Sequence, residues 1–349
     1  MIIKTSLKRE NLRSICYPET IVIIRLQATV SIVHAVKLDH AVQKTPLSNF
    51  LGPRYWPTWL GLGLMRAIAV LPLPIIALLG QSLGFIFYWI IGSRRRIGFT
   101  NIRACFPELD ANECRRINRR HFCLVGQSLF TTPMHWWISE ARFNRMVSVQ
   151  GREHYDKALA SGRNIIILAP HFISLDVAGY ILAQERPLLT MYQYAKNGLI
   201  DEVVKRGRLR YGGELVERKA PMRNLIRAIR KGHPFYYLPD QDAGRKGVFV
   251  PFFHKQASTY SVLGKFAEMT DAVVVPCRTR IKSWGRGYEI TLCQTLDDFP
   301  IGDELKDTAR MNVEVAKLIR PHPEQYFWVH KRFKTRPPEE QDAGLKFYQ

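Results

Sequence analysis

A histidine and a carboxylate lie close together in segment 170–176, where four residues separate His171 from Asp176. A histidine that titrates near neutral pH, and whose ring is oriented by a carboxylate, can take a proton from an alcohol. The apolar run at 164–169 predicts a buried strand, and α/β proteins bind ligands at the ends of such strands. Ser174 is placed to cap the next helix. The alternative is a surface histidine beside an acid that only the helix dipole favours.

Two further carboxylates, Asp240 and Asp242, follow another apolar run, which predicts a strand at 235–238. Carboxylates at the end of a strand can bind a metal, orient a base or cap a turn. We predict no metal site, because no third hard ligand lies close to them in the sequence. Their spacing leaves the other two roles open.

Arg208 and Arg210 lie in a basic stretch between these two motifs. Arginine binds phosphate or carboxylate through paired hydrogen bonds and can stabilise a developing oxyanion, although basic loops are often simply solvated. Covalent catalysis is disfavoured, because neither Ser174 nor Cys277 lies in the Gly-x-Ser-x-Gly sequence of a nucleophile elbow.

The elements that must position these residues alternate between strands and helices from residue 151 to residue 335. This alternation predicts an α/β fold with a mixed central sheet flanked by helices. Strands are predicted at 165–168, 235–238, 248–252, 272–276, 288–292 and 326–330. Helices are predicted at 175–183, 222–231, 262–269 and 308–319.

An apolar segment at 67–92 carries no charge and ends just before Arg94, Arg95 and Arg96. About 20 apolar residues suffice for a helix to cross a bilayer, and basic flanks favour a cytosolic side. Pro72 and Pro74 interrupt such a helix. A kinked crossing, a helical hairpin in one leaflet and a buried core helix therefore remain alternatives.

The composition indicates a globular protein with an anionic partner. Of 349 residues, 46% are hydrophobic, and the formal charge of +21 is spread along the chain. Such an excess fits nucleic acid, an anionic membrane, a phosphorylated lipid or an acidic protein. The six cysteines show no metal or redox spacing, so reduced thiols in a cytosol-facing protein are expected. No cleavable signal peptide is expected, because the first 20 residues are polar and charged.

Seven segments, in order along the chain, resemble motifs of the bacterial lipid A late acyltransferases, the lauroyl and myristoyl transferases of lipopolysaccharide assembly. The resemblance covers residues from about 54 to 337, and its closing segment is the most specific. The segments are 55–63 (YWPTWLGLG), 101–107 (NIRACFP), 170–176 (PHFISLD), 207–210 (GRLR), 238–242 (LPDQD), 248–253 (VFVPFF) and 324–337 (EQYFWVHKRFKTRP).

The resemblance implies a bacterial inner-membrane enzyme whose catalytic domain faces the cytoplasm. Such an enzyme moves a fatty acyl chain from acyl carrier protein to a hydroxyl of the Kdo-lipid A precursor. It implies direct transfer without a cofactor, in which His171 is the general base and Asp176 holds its tautomer; many members carry Glu at that position. Substrate-binding or oxyanion-supporting roles are predicted for Arg208, Asp240, Arg210 and Asp242.

The predicted partners are acyl carrier protein, a phosphorylated glycolipid acceptor and the inner membrane, with no nucleic acid. We predict an extension of uncertain role at 1–45, a membrane-anchoring helical segment at 55–96, an α/β acyltransferase domain at 97–337 and a C-terminal tail at 338–349. Two rival functions remain: an acyltransferase for glycerol phosphate or a mannosyl lipid, and a noncatalytic lipid-binding protein.

Overall fold

Seven strands form one mixed sheet with helices on both faces in the computed structural model, which describes residues 44–342, 347 and 348. The strands are β1 (Val147–Gln150), β2 (Asn164–Leu168), β3 (Leu188–Tyr192), β4 (Gly213–Glu217), β5 (Phe235–Tyr237), β6 (Val248–Phe252), β7 (Lys255–Thr259), β8 (Ala272–Ile281) and β9 (Tyr288–Leu292). The order across the sheet is β1-β9-β8-β2-β5-β3-β4, while β6 and β7 form a separate hairpin. Five neighbouring strands, from β8 to β4, run parallel. Strand β9 is antiparallel to β8 and parallel to β1.

The helices fall into an N-terminal group and a group that alternates with the strands. They are α1 (Trp56–Ile68), α2 (Leu73–Ile90), α3 (Gly92–Cys105), α4 (Ala111–Met134), α5 (Glu140–Arg145), α6 (Arg152–Ala160), α7 (Leu175–Ala183), α8 (Gly198–Arg210), α9 (Met222–Arg230), α10 (Leu263–Thr270), α11 (Glu304–Ile319) and α12 (Pro338–Asp342). The predicted fold class, a mixed sheet flanked by helices, is confirmed.

Strand β2 shows how the sequence builds this layered core. Its residues Ile165 and Ile167 pack into one apolar cluster, while Ile166 and Leu168 pack into another. Successive side chains of a strand point to opposite faces, so an uninterrupted apolar run is typical of a parallel strand covered on both sides. Strand β2 therefore lies at the centre of the sheet and ends next to residues 170–176.

The strand predicted at 326–330 is wrong. The backbone there makes only an isolated bridge, between Tyr326 and Phe172. The side-chain amide of Asn101 donates to the carbonyls of Trp328 and His330, and the Trp328 indole donates to the carbonyl of Pro323. The aromatic alternation resembled a strand, but side chains, not a neighbouring strand, satisfy these carbonyls.

Most of the apolar segment at 67–92 forms helix α2, and only its first two residues belong to α1. Pro72 is the N-cap residue of α2, and Pro74 lies in its first turn. Helix α2 packs closely against α4 at Gly84, where an added Cβ would lie 2.1 Å from the carbonyl oxygen of Phe122. Its other face leaves large apolar side chains exposed, including Leu78, Ile86, Trp89 and Ile90. Among the described residues, α2 alone is long and apolar enough to cross a membrane, and a third of it is buried.

Two predictions concern parts of the chain that are only partly described. The extension predicted at 1–45 lies outside the described residues except for Lys44 and Thr45, and Cys16 lies with it. Four residues of the predicted tail, 343–346, and Gln349 are also outside them. The other five cysteines are free thiols.

Candidate active site

The His171 ring is held by a buried carboxylate from a neighbouring strand end. Its Nδ1 lies 2.7 Å from Oδ1 of Asp240, and its backbone N–H donates to Oδ2 of Asp240 at 2.9 Å. Asp240 is only 1% exposed, and it also accepts a hydrogen bond from the hydroxyl of Tyr326. Since an ionised carboxylate only accepts hydrogen bonds, Nδ1 carries the proton and Nε2 is left with the free lone pair.

The sheet brings these residues together from positions 69 apart in the sequence. Strands β2 and β5 are parallel neighbours in which Leu168 pairs with Tyr237. His171 and Asp240 each follow three residues after a member of this pair. Equal offsets from paired residues, at the same edge of a parallel sheet, place the two side chains side by side.

Burial and the carboxylate act in opposite directions on His171. Burial disfavours the charged imidazolium, but the negative charge of Asp240 and its hydrogen bond to Nδ1 outweigh this penalty, so the pKa of His171 is raised above its usual value. For Asp240, burial favours the neutral acid. The charge and hydrogen bonds of His171 outweigh it and lower the pKa of Asp240 to about 2.

Asp176 does not hold the His171 ring, so that expectation is corrected. Its Oδ1 instead lies 3.1 Å from Nη2 of Arg208. Asp176 is in the first turn of α7, whereas Nδ1 of His171 faces Asp240 across the strand ends. Ser174 is at the N-cap position of α7, but its hydroxyl makes no capping hydrogen bond.

His171, Asp176 and Arg208 nevertheless line one cavity of about 200 Å³. The remaining walls are mostly apolar or aromatic side chains from α7 and the neighbouring strands, namely Leu175, Tyr180, Leu188, Met191, Leu215, Tyr236 and Leu238. Arg208 carries its charge at the wall, and the neighbouring Asp176 raises the pKa of its guanidinium. The cavity thus joins an imidazole and a guanidinium group to a largely apolar lining, a combination typical of small-molecule sites.

The other two predicted site residues, Arg210 and Asp242, make their hydrogen bonds outside the cavity that His171 lines. Arg210 donates to the backbone carbonyls of Trp136 and Ile138, just beyond the end of α4. Asp242 accepts from the backbone N–H and the hydroxyl of Thr335. Neither lines the cavity that contains His171. The structure gives both side chains contacts that fix loops.

Sequence reasoning missed two residues at the site. Tyr326, which was placed in a predicted strand, donates to Asp240. The side-chain amide nitrogen of Gln241 lies 3.1 Å from Nε2 of His171. Both lie in segments that resemble family motifs, 324–337 and 238–242, and that resemblance was the available signal. Among the described residues, no group of three or more His, Cys, Asp or Glu side chains is arranged to hold a metal.

The fold and the cavity define a class of protein: an α/β protein in which a histidine held by a buried carboxylate lines a largely apolar pocket. The family described as "Bacterial lipid A biosynthesis acyltransferase" matches residues 44–335. The chain belongs to this family, and the family supports acyl transfer in lipid A biosynthesis as its activity.

Three relatives from Escherichia coli (strain K12) show the extent of the similarity. The chain is 37% identical to "Lipid A biosynthesis lauroyltransferase" over 82% of its own length and 94% of that protein. It is 32% identical to "Lipid A biosynthesis palmitoleoyltransferase" over 83% of this chain and 94% of the relative. It is 31% identical to "Lipid A biosynthesis myristoyltransferase", with 84% and 91% covered. The three names specify different acyl chains, so family membership does not fix the chain length.

Proposed function

We propose that this protein transfers a fatty acyl chain from the thioester of acyl carrier protein to a hydroxyl of the Kdo-lipid A precursor. The observation that carries this proposal is the His171 ring, which Asp240 orients at an apolar cavity. Oxygen attack on a thioester requires a base for the hydroxyl proton and a place for the acyl chain, and the cavity offers both. No acyl-enzyme is required, because a thioester is already an activated donor.

In this mechanism Nε2 of His171 takes the proton of the acceptor hydroxyl while the hydroxyl oxygen attacks the thioester carbonyl. A carbon–oxygen bond forms and the carbon–sulfur bond then breaks. The imidazolium of His171 passes its proton to the leaving sulfur, so the carrier leaves as a thiol and His171 is neutral again. Asp240 stabilises the transient imidazolium through Nδ1. Arg208, which Asp176 holds at the cavity wall, stabilises negative charge on the carbonyl oxygen.

Gln241 occupies the position that the acceptor hydroxyl must reach. Its exposed amide donates to Nε2 of His171 when no substrate is bound. The acceptor hydroxyl would displace this amide and take over its hydrogen bond to Nε2. An exposed side chain can move aside at low cost, so Gln241 keeps the base in its reactive tautomer without blocking it.

We also propose that the protein binds the cytoplasmic face of the inner membrane through the exposed apolar sides of α1 and α2. More than half of the exposed large apolar side chains of the described region lie between Leu51 and Ile91. Because α2 packs along α4 and α4 carries the exposed Arg119 and Arg120, a full crossing would draw these charges towards the bilayer. An orientation along one leaflet avoids that cost.

Transfer by purified wild-type protein and by the variant His171→Ala tests the proposal. With acyl carrier thioester and the Kdo-lipid A precursor, we expect wild-type turnover, and mass spectrometry of the product should show one added acyl chain. Loss of the base should lower the rate by roughly 10²- to 10⁴-fold. Circular dichroism and vesicle flotation should show that the variant still folds and binds membranes.

Parallel reactions with glycerol phosphate and mannosyl lipid acceptors separate the rival activities. Preferential turnover of either one would replace the proposed acceptor. Tight glycolipid binding with no thioester turnover by wild type would instead favour a lipid-binding protein. Near wild-type activity in His171→Ala would end the general-base assignment.

A further inference from the structure

A second cavity lies on the other side of α8 from His171. It measures about 560 Å³, within the range of about 300–1,000 Å³ that small-molecule sites occupy. Arg206 and Arg210 line this cavity, whereas Arg208, between them in the sequence, lines the cavity with His171. Residues two apart point to nearly opposite sides of a helix, so α8 forms a common wall.

The two cavities are also adjacent at Trp136. The Trp136 ring packs on Gly207, where an added Cβ would lie 2.2 Å from Cδ1 of the indole. The same indole donates from Nε1 to the hydroxyl of Tyr180 at 3.2 Å. Trp136 lines the second cavity and Tyr180 lines the first. One layer of side chains therefore separates the second cavity from the reaction site.

The lining of the second cavity combines aromatic rings with positive charge. Trp59, Trp136 and Trp137 supply large flat rings. Arg66 and Lys44 are exposed at its wall and have no acidic partner among the described residues. Arginine and lysine bind phosphate groups, and the apolar faces of sugar rings pack on tryptophan. A hydrocarbon chain would need no such charges.

The acid that pairs with Arg206 does not cancel the charge of Arg66 and Lys44. Glu202 is buried and bonded by Arg206 from within α8, and Arg206 also donates to the backbone carbonyl of Thr45. Arg210 is fixed by the carbonyls of Trp136 and Ile138. These contacts hold both guanidinium groups in place, while the cavity keeps a positive excess from Arg66 and Lys44.

Helix α1 places this cavity next to the apolar surface. Trp59 and Arg66 are seven residues apart, two turns along one side of the helix, and both line the cavity. Trp56, Leu60 and Leu64, spaced four apart, form another side and are more than 60% exposed. If that side contacts lipid, the cavity lies beside the lipid-facing surface of α1.

We propose that this aromatic and cationic cavity, which we name the headgroup cavity, binds the phosphorylated sugar headgroup of the glycolipid acceptor. An acyl chain of the same molecule would then reach around α8 to bring its hydroxyl to His171. This inference rests on the proposed function, because it assigns a subsite to that acceptor. In this proposal Arg66 binds the acceptor and takes no part in the acyl-transfer step.

Steady-state kinetics of the full-length chain in detergent micelles test the assignment with two acceptors. One is the phosphorylated glycolipid, and the other is the same lipid after phosphatase treatment. For Arg66→Ala we expect the KM of the phosphorylated acceptor to rise about tenfold, the effect of one lost charge-assisted hydrogen bond, with little change in kcat. The KM for the carrier thioester should not change.

On the phosphatase-treated acceptor, wild type and Arg66→Ala should have the same KM. Arg66→Lys should recover most of the affinity for the phosphorylated acceptor. The matched control is Arg223→Ala, which removes an exposed arginine from α9, away from both cavities. An equal loss with both acceptors, a change in carrier KM, or no change in Arg66→Ala would overturn the proposal.

A binding measurement separates this proposal from the proposed function. Tryptophan fluorescence is titrated with a deacylated, phosphorylated glucosamine disaccharide, and with the phosphate-free disaccharide as a comparison. We expect saturable binding of the phosphorylated probe to wild type and its loss in Arg66→Glu, whether or not transfer is detected. If wild type turns over the acceptor but neither probe binds, or both bind equally, the headgroup cavity is wrong while the proposed function stands.

Discussion

Two carboxylates near His171 are held in different ways. Asp240 is 1% exposed and accepts from the His171 ring, the His171 backbone and Tyr326. The Asp176 side chain is 26% exposed and pairs with Arg208, whose side chain is 28% exposed. The buried carboxylate has its acceptor positions used by protein donors, whereas the partly exposed one lies on the wall of the cavity.

The difference in burial and partners gives the two carboxylates different roles. A buried carboxylate with three fixed donors is suited to orient a base, since it cannot move without leaving donors unsatisfied. A partly exposed carboxylate paired with an arginine is suited to place that arginine beside substrate. The resemblance to the family had implied the first task for Asp176, which lies close to His171 along the chain.

Asp240→Asn should have the largest effect among the variants that test this comparison. An amide cannot stabilise the imidazolium and can favour the wrong tautomer, so we expect a loss in kcat/KM on the order of 10²- to 10⁴-fold. The pH profile should also change. Transfer needs neutral His171, so the wild-type rate rises with pH through a His171 pKa that Asp240 raises.

Without Asp240, burial of the ring is the dominant influence, and burial lowers a histidine pKa. The midpoint of the residual activity should therefore move to lower pH in Asp240→Asn. An unchanged midpoint would show that His171 is not the titrating base or that Asp240 does not control it. The Tyr326→Phe variant, which keeps the carboxylate, serves as a control and should shift the midpoint much less.

Asp176→Asn should have a smaller effect, about tenfold in kcat, because it loosens Arg208 without touching the base. A double-mutant cycle decides how Asp176 acts. In an Arg208→Ala background, Asp176→Asn should cost almost nothing further. A full additional loss in that background would mean that Asp176 acts on His171 or on substrate directly, as the sequence had suggested.

Arg210→Ala should have the smallest effect on kcat and should contrast with Arg208→Ala. Because Arg210 bonds backbone carbonyls of Trp136 and Ile138, its loss should lower the free energy of unfolding by about 1 kcal/mol while leaving kcat within about twofold. Arg208→Ala should instead lower kcat strongly and change the free energy of unfolding little. Thermal unfolding and initial rates on the same samples measure stability and kcat. A large loss of kcat in Arg210→Ala would mean that Arg210 acts in the reaction site.

Much of the fold could be predicted from local patterns. The apolar run at 164–169 and the helix at 175–183 were correctly placed, because periodicity reports which faces of an element are buried. The strand at 326–330 failed because aromatic alternation says nothing about which groups satisfy the backbone. There, Asn101, more than 220 residues away in the sequence, supplies the donor.

The sequence by itself determined the inventory: a histidine at a strand end, carboxylates and arginines in motifs that resemble one family, and an apolar segment broken by prolines. Only the tertiary structure decided which of these groups meet. The partner of His171 is 69 residues away because β2 and β5 are paired in the sheet, and strand pairing depends on the packing of the whole core. Arg208 and Arg210 separate onto different surfaces for a similar reason, since what a helix contacts on each side is set by its neighbours.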